Sequence, residues 1–483
     1  MRITMFSVVG TALFSCCQTS IAYSAEQTTC SYLFADNQHV ASESNIKRSL
    51  QQPTKLPKPV ITSQGDWDSC PYLFGTVIFD HQEQIYKAWY MSYNYGQPLA
   101  VRTPFLYATS SNGRDWTYPT LGLFEHNGSK QNNIILQNAG HHDSYSPSVI
   151  KDRNERNPSR RYKMIFWDFS AEGSYKGNDG MMIAFSPDGI HWKRWQQQPV
   201  LASAEVEQSI SDVMDLLIDP LRNRYVAYTK GWADPFPHHR QIVRTESTDF
   251  INWSSPEVVL RHANTVADPE SYGMPVFIHE GMYFGLLRLY HSRTDHTIDI
   301  QLTSSHDGKS WNRVANQATF LPNGNDNAWD RGMLFSTAPV IRNDVMEFFY
   351  GAWDGSHNST SRSSAIGLAT LPLNRFTAIE AIDDVGTLQT KPLVLTHPFL
   401  SLNASVRKGR IRVALTDAAG SPLPGFSLED CDRINGNSLR HQLTWRGQGD
   451  VAVLKQKQIS LLFEISGDSQ LFAFRNHEYP EHR

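Results

Sequence analysis

Short runs of β-branched and aromatic residues, each of strand length and each followed by a polar turn segment, fill the chain from about residue 66 to about residue 385. Leu73–Phe79, Tyr86–Tyr93 and Phe105–Thr109 open the series. Pro147–Ile150, Tyr162–Trp167 and Met181–Phe185 repeat it, as do Asp212–Ile218, Tyr225–Tyr228 and Gln241–Val243. Met274–Ile278, Tyr283–Leu287 and Ile298–Leu302 make a fourth set, and Ala338–Ile341, Met346–Tyr350 and Ala365–Ala369 a fifth. Apolar spacing of three and four, the mark of an amphipathic helix, is hard to find, so the pattern predicts strands.

One motif closes each set. Its copies are Ser110-Ser111-Asn112-Gly113-Arg114-Asp115-Trp116, Ser186-Pro187-Asp188-Gly189-Ile190-His191-Trp192, Ser247-Thr248-Asp249-Phe250-Ile251-Asn252-Trp253 and Ser304-Ser305-His306-Asp307-Gly308-Lys309-Ser310-Trp311. Thr370-Leu371-Pro372-Leu373-Asn374-Arg375-Phe376 is a fainter fifth. Asn or Asp before Gly makes a tight hairpin turn, because both residues tolerate positive φ. The Ser hydroxyl bonds back to the turn backbone, and the Trp begins the next strand and packs between sheets. A four-strand unit repeated in sequence predicts an all-β fold, a β-propeller with five recognisable blades. Beyond about residue 385 the strands Gly409–Leu415, Gln442–Trp445 and Ile459–Phe463 lack the motif. They read as a β-sandwich-like region, with extra blades, up to seven in all, as the alternative.

The expected divisions are a signal peptide over 1–24, an entry segment over 25–65, the propeller over 66–384 and a C-terminal β-rich region over 385–483. The apolar run after Met1-Arg2-Ile3-Thr4 and the small residues near Ser24 predict secretion. Phe14 in Leu13-Phe14-Ser15-Cys16 weighs against a lipoprotein box. No later apolar run is long enough to span a membrane. Net charge is −4, which gives no basic surface for nucleic acid. Past the signal only Cys30, Cys70 and Cys431 remain, so thiolate metal sites are not predicted and one Cys30–Cys70 bridge is the most that can form. A monomer is expected.

If the strands of each blade run outward from the axis, the motif turns lie on one face. The connections between blades and the loops between second and third strands then meet on the other face, where rigidly held loops carry chemistry. Those segments include His141-His142-Asp143, Ser211-Asp212, Asp268-Pro269-Glu270, Lys230 with His239-Arg240, and Tyr290-His291-Ser292-Arg293. In the third unit the hairpin centres near Pro235-Phe236, and its symmetry pairs Tyr228 with Arg244. An Arg beside a Tyr lowers the cost of a phenolate. Alternatively Tyr228 is a core aromatic and Arg244 pairs with Glu246 or Asp249. His141, His142, Asp143 and the His291–His296 loop offer ligands for a structural divalent ion, zinc or calcium, though none is required for activity.

The five repeating units resemble the five-bladed carbohydrate-active propellers around glycoside hydrolase families 32 and 43. Asp143-Ser144-Tyr145-Ser146-Pro147-Ser148-Val149 and Pro269-Glu270-Ser271-Tyr272-Gly273-Met274-Pro275 are similar to that superfamily's innermost-strand openings. The resemblance implies hydrolysis by paired carboxyl groups, drawn here from Asp143, Asp212 and Glu270. Asp66-Trp67-Asp68-Ser69-Cys70-Pro71 departs from the opening expected of the first unit.

By size and residue types the chain also resembles the propeller ulvan lyases of polysaccharide lyase family 25. That resemblance implies β-elimination on a uronate-containing, sulfated polysaccharide, and it is the first functional expectation. A His and a Tyr would serve as base and acid and an Arg would neutralise the uronate, giving His142, Tyr228 and Arg244 as catalytic candidates. His126, His141, Lys230, His239, Arg240, Glu270, Arg288, Tyr290, His291 and Arg293 are the substrate-binding candidates for an acidic polysaccharide. Hydrolysis by Asp143, Asp212 and Glu270 is the alternative, and a non-catalytic carbohydrate-binding propeller is the second.

Overall fold

The computed structural model describes residues 29–137, 143–168, 179–203, 209–233, 236–261 and 269–481. Strands dominate, and the described residues divide into two compact units. One unit is Arg48–Ala378. The other joins Ile379–Arg483 to the chain up to Lys47.

Arg48–Ala378 is a five-bladed propeller of antiparallel sheets. Blade 1 runs Pro71–Asp80, Ile85–Ser92, Phe105–Ser110 and Ile134–Leu136. Blade 2 has Ser144–Lys151, Tyr162–Asp168 and Gly180–Ser186, with Lys193–Arg194 and Leu201–Ala202 sharing its outer edge. Ser209–Asp219, Arg224–Ala233, Phe236–Ser247 and Glu257–Leu260 form blade 3. Blade 4 begins with Glu270–Gly273 and Val276–His279, followed by Met282–Tyr290 and Ile298–Ser305. In blade 5, Met333–Ser336 and Val340–Arg342 precede Val345–Trp353 and Ser364–Pro372. Its outer strand comes from the far end of the chain: Thr54–Lys55 pairs with Ala369 and Thr370. The innermost strands of neighbouring blades pack in order, and blade 5 packs back on blade 1. Tyr72 and Phe74, Val149, Val213, Tyr272, and Met333 and Phe335 fill the axis from all five blades.

The motif turns form as predicted. The Ser hydroxyl accepts from the turn N–H at 2.9 Å in each of four copies, at Gly113, Gly189, Phe250 and Gly308. Asn112, Asp188, Asp249 and Asp307 accept from the next two amides. The left-handed residue is Gly in three copies and Phe250 in the other, and Asn374 takes the same region in the faint fifth.

A second repeat was not anticipated. Near the start of the second strand, Tyr86, Tyr162, Tyr225 and Tyr283 each give their hydroxyl to a carboxylate of the preceding blade. The acceptors are Glu347 (2.5 Å), Asp80 (3.1 Å), Asp152 (2.5 Å) and Asp219 (2.7 Å). Blade 5 has Met346 at this position and so makes no such bond. Lys87, Lys151 and Lys163 neutralise Asp80 and Asp152. Two clefts open on this turn face, one of about 480 Å³ with Lys87, Lys151 and Tyr162 in its wall and one of about 290 Å³ with Asp152 and Tyr225 in its wall.

The second unit is built on one long antiparallel strand pair, Phe399–Thr416 against Gln458–His477. Val385–Thr390 and Thr29–Leu33 add to it, and Trp445, Phe463 and Phe474 lie in its core. Its strands form their own sheet and add no blade, which leaves the blade count at five. The structure also divides the entry segment. Residues up to Lys47 belong to this unit, whereas residues from Arg48 onward belong to the propeller. The signal segment lies outside the described residues. Cys70 and Cys431 are free thiols. No helix among the described residues is long and apolar enough to cross a membrane.

Candidate functional site

The face opposite the motif turns gathers charge and aromatic rings around the axis. Three acids mark the openings of successive innermost strands: Asp143 in blade 2, Asp212 in blade 3 and Glu270 in blade 4. Each has its own cation. Arg102, at the end of the short helix Leu99–Arg102, bonds Asp143 through both Nε and Nη2. Lys230 Nζ lies 2.6 Å from Asp212, and Arg240 Nη1 lies 2.7 Å from Glu270. Burial would raise both Asp212 and Glu270, but Lys230 outweighs it at Asp212, and the Ser292 hydroxyl together with Arg240 outweighs it at Glu270, so both lie below the usual carboxylate range.

Tyrosines line the space between these pairs. Lys230 sits over the Tyr272 ring at 4.6 Å, and Arg240 lies over Trp232, Tyr272 and Tyr290 at 5.1–5.2 Å. Tyr145 donates to Asp143 at 3.4 Å. The Tyr272 hydroxyl meets His357 Nε2 at 3.0 Å, and Tyr290 meets His296 Nδ1 at 3.2 Å. Burial, with the charges of Arg240, Arg362 and Lys230, holds the His357 imidazole down at about 4 against its hydrogen bond to Asn358. His357 is therefore neutral at physiological pH and can accept a proton or a hydrogen bond.

Lys230, Arg240, Glu270 and Tyr290 are thus brought together. Lys230 and Arg240 come from strands instead of loops, because Arg224–Ala233 and Phe236–Ser247 continue almost to the turn. His239 is buried just before Arg240 on the same strand. Tyr228 and Arg244 do pair across this hairpin. Neither reaches the axial cluster. Tyr228, 1% exposed, donates to the Gly308 carbonyl of the opposite-face turn at 2.8 Å and meets Trp311 edge-on. Burial pushes its pKa up despite Arg244. Arg244 is enclosed and bonded to Glu246 at 2.7 Å and Glu257 at 3.3 Å. The core-packing alternative describes both residues.

Arg288 is also enclosed, 1% exposed, bonding both oxygens of Asp215 and the Ser336 carbonyl. It ties blades 3, 4 and 5 together inside the ring and faces no open space. His126 is buried in blade 1's outer connection, 3.7 Å from Asp66. His291 bonds Asp299 at 3.1 Å, which raises its pKa, and Arg293 is exposed on the same loop. His141 and His142 lie outside the described residues. Among the described residues no group of three His, Cys, Asp or Glu is set to hold a metal ion.

Arg102, His357 and Arg362 were missed. The signal was present for His357, since Trp353-Asp354-Gly355-Ser356-His357 falls between the second and third strands of the fifth set, where loops of this face lie. Arg102 follows an apolar stretch that carries no motif.

No protein-family model matches the chain, and no curated protein matches it significantly. Solved structures similar to it include an N-acetylgalactosamine deacetylase from F. plautii, in complex with blood group B trisaccharide. It is 16% identical with a TM-score of 0.46, over 68% of this chain and 96% of that one. A glycoside hydrolase family 32 β-fructofuranosidase from Bombyx mori is 10% identical with a TM-score of 0.43, over 88% and 94%. A thermostable family-43 glycoside hydrolase is 14% identical with a TM-score of 0.43, over 63% and 91%.

Proposed function

We propose that the axial cluster is the active site of an enzyme that cleaves glycosidic bonds by hydrolysis, with Asp143, Asp212 and Glu270 as its acid–base set. One observation carries this reading: three carboxylates at the same end of three successive innermost strands face one aromatic-lined space. Asp212, held ionised by Lys230, is the group that attacks the anomeric carbon or activates water. The proton donor is Asp143 or Glu270: parted from its cation by the bound substrate and desolvated there, the carboxylate takes up a proton from solvent and passes it to the glycosidic oxygen. The tyrosine faces suit sugar rings, which are apolar on one side and polar at the edge.

β-Elimination on a uronate is the second reading, supported by a different observation. Neutral His357 shares a hydrogen bond with Tyr272 beside Arg240 and Arg362. This is the base, acid and cation set that proton abstraction next to a carboxylate requires. It replaces Tyr228 and Arg244 as the bearers of that chemistry.

Product analysis on a panel of neutral and uronate-containing polysaccharides tests both. Hydrolysis gives new reducing ends without unsaturated-uronate absorbance, and Asp212→Asn lowers turnover by about 10²–10⁴-fold with the fold retained. Reducing ends accompanied by that absorbance, lost in His357→Ala and Tyr272→Phe, would replace hydrolysis by elimination.

A further inference from the structure

Arg362 differs from the other cations of the axial cluster. Arg102, Lys230 and Arg240 each face a carboxylate. Arg362, from the blade 5 loop after Trp353, bonds only neutral acceptors. Its Nη1 donates to the carbonyls of Ser356 (3.0 Å) and His357 (2.9 Å), and its Nε to the Tyr95 hydroxyl (3.1 Å). The guanidinium lies over the Trp353 ring at 4.7 Å. Among the described residues nothing accepts from Nη2. The group is therefore fixed in direction on three sides while its charge is left without a counter-ion. A guanidinium held this way is suited to an oxyanion, because its rigid fork matches carboxylate and sulfate geometry.

Tyr95 supplies the second half of the argument. It comes from the blade 1 loop and is 44% exposed, one of the few large aromatic rings so open. Its ring is 4.8 Å from Tyr93 and 6.4 Å from Trp353. An exposed aromatic face thus stands directly against an uncompensated cation, and Arg362 also bears on Tyr72 and His357 inside the cluster.

We propose that Arg362, Tyr95 and Trp353 form a rim subsite, between blades 5 and 1, for a sugar residue carrying a carboxylate or a sulfate ester. Tyr95 stacks on the ring and Arg362 takes the anionic group. This rests on the axial cluster being a carbohydrate site, but it assigns the charge recognition to the rim and not to the bond that is cleaved.

Calorimetric titration of the full chain with glucuronate, glucose 6-sulfate and glucose, at one ionic strength, tests it. At least one charged sugar should bind about tenfold or more tightly than glucose. Preference for only one of the two identifies the anion as carboxylate or sulfate. Arg362→Gln should erase the preference, Arg362→Lys should keep part of it, and Tyr95→Ala should weaken all three sugars by a similar factor. Melting temperatures near that of the wild type establish that these variants are folded; if Arg362→Gln is not, Arg362→Lys decides. No saturation by any sugar, equal affinity for all three, or a preference that survives the loss of Arg362 overturns the proposal. The readout does not involve turnover. If Asp212→Asn leaves turnover intact while the Arg362-dependent preference holds, the hydrolytic assignment fails and the subsite stands.

Discussion

Tyr228 and Trp89 occupy the same place in blades 3 and 1, three residues beyond the stapling tyrosines Tyr225 and Tyr86. Each reaches a motif turn of another blade: Trp89 donates to the Gly189 carbonyl at 2.6 Å and Tyr228 to that of Gly308 at 2.8 Å. Trp116, Trp192 and Trp253 donate to their own turn carbonyls, Trp192 sharing that of Gly189 with Trp89, whereas the buried Trp311 indole N–H has no partner among the described residues. Tyr228→Phe should therefore cost about 1 kcal/mol in urea denaturation and leave turnover unchanged. The pairing of Tyr228 with Arg244 was legible because hairpin symmetry is local. Its role was not, because the acceptor lies on another blade. His357 gives a pH test. An unfolded imidazole titrates near its ordinary value of 6.5, while the folded one titrates at about 4. Between those values the unfolded chain binds a proton that the fold does not. Stability should thus be fully present above pH 6.5 and fall as pH drops toward 4. Melting temperature against pH should show a smaller drop over that window in His357→Gln.

The motif turn was legible as an element because every bond in it lies within seven residues. Its direction was useful too, since it placed the chemistry on the opposite face, where Asp143, Asp212 and Glu270 are found. Gly189 combines φ of +83° with a site where a Cβ would come within 2.7 Å of the Trp89 ring. Gly189→Ala should destabilise by about 1–3 kcal/mol in chemical denaturation. The tyrosine staples were illegible despite their regular positions, because the acceptor carboxylates lie from 64 to 261 residues away in sequence and differ in spacing. Tyr162 accepts from Lys87 (3.0 Å) as well as donating to Asp80. Tyr162→Phe should consequently cost more than Tyr228→Phe, measured under the same conditions.

At the level of the molecule, five blades and a separate second unit follow from where the repeat stops. The strand that completes blade 5 does not. Thr54–Lys55 is two residues long, too short for any periodicity, and its partner is near the opposite end of the propeller. Leu56 N–H continues the pairing to the Leu368 carbonyl at 2.8 Å, and Lys55 bonds Asp330 at 2.6 Å. Leu56→Pro removes that N–H. Hydrogen exchange should then rise across Ser364–Pro372 while blades 2 and 3 keep their protection.

That borrowed strand also sets the order of events during synthesis. Thr54 and Lys55 leave the ribosome before any blade exists, yet their sheet forms only after Thr370 has emerged. Blades 1 to 4 can assemble as the chain grows, whereas closure waits for nearly the whole propeller. Until then Ser364–Pro372 has an unpaired edge, open to strands of other chains. Closing so long a loop is an entropic barrier that local contacts do not offset. Refolding from denaturant should therefore end in a slow phase, which Leu56→Pro retards further and in which blade 5 is the last to gain protection.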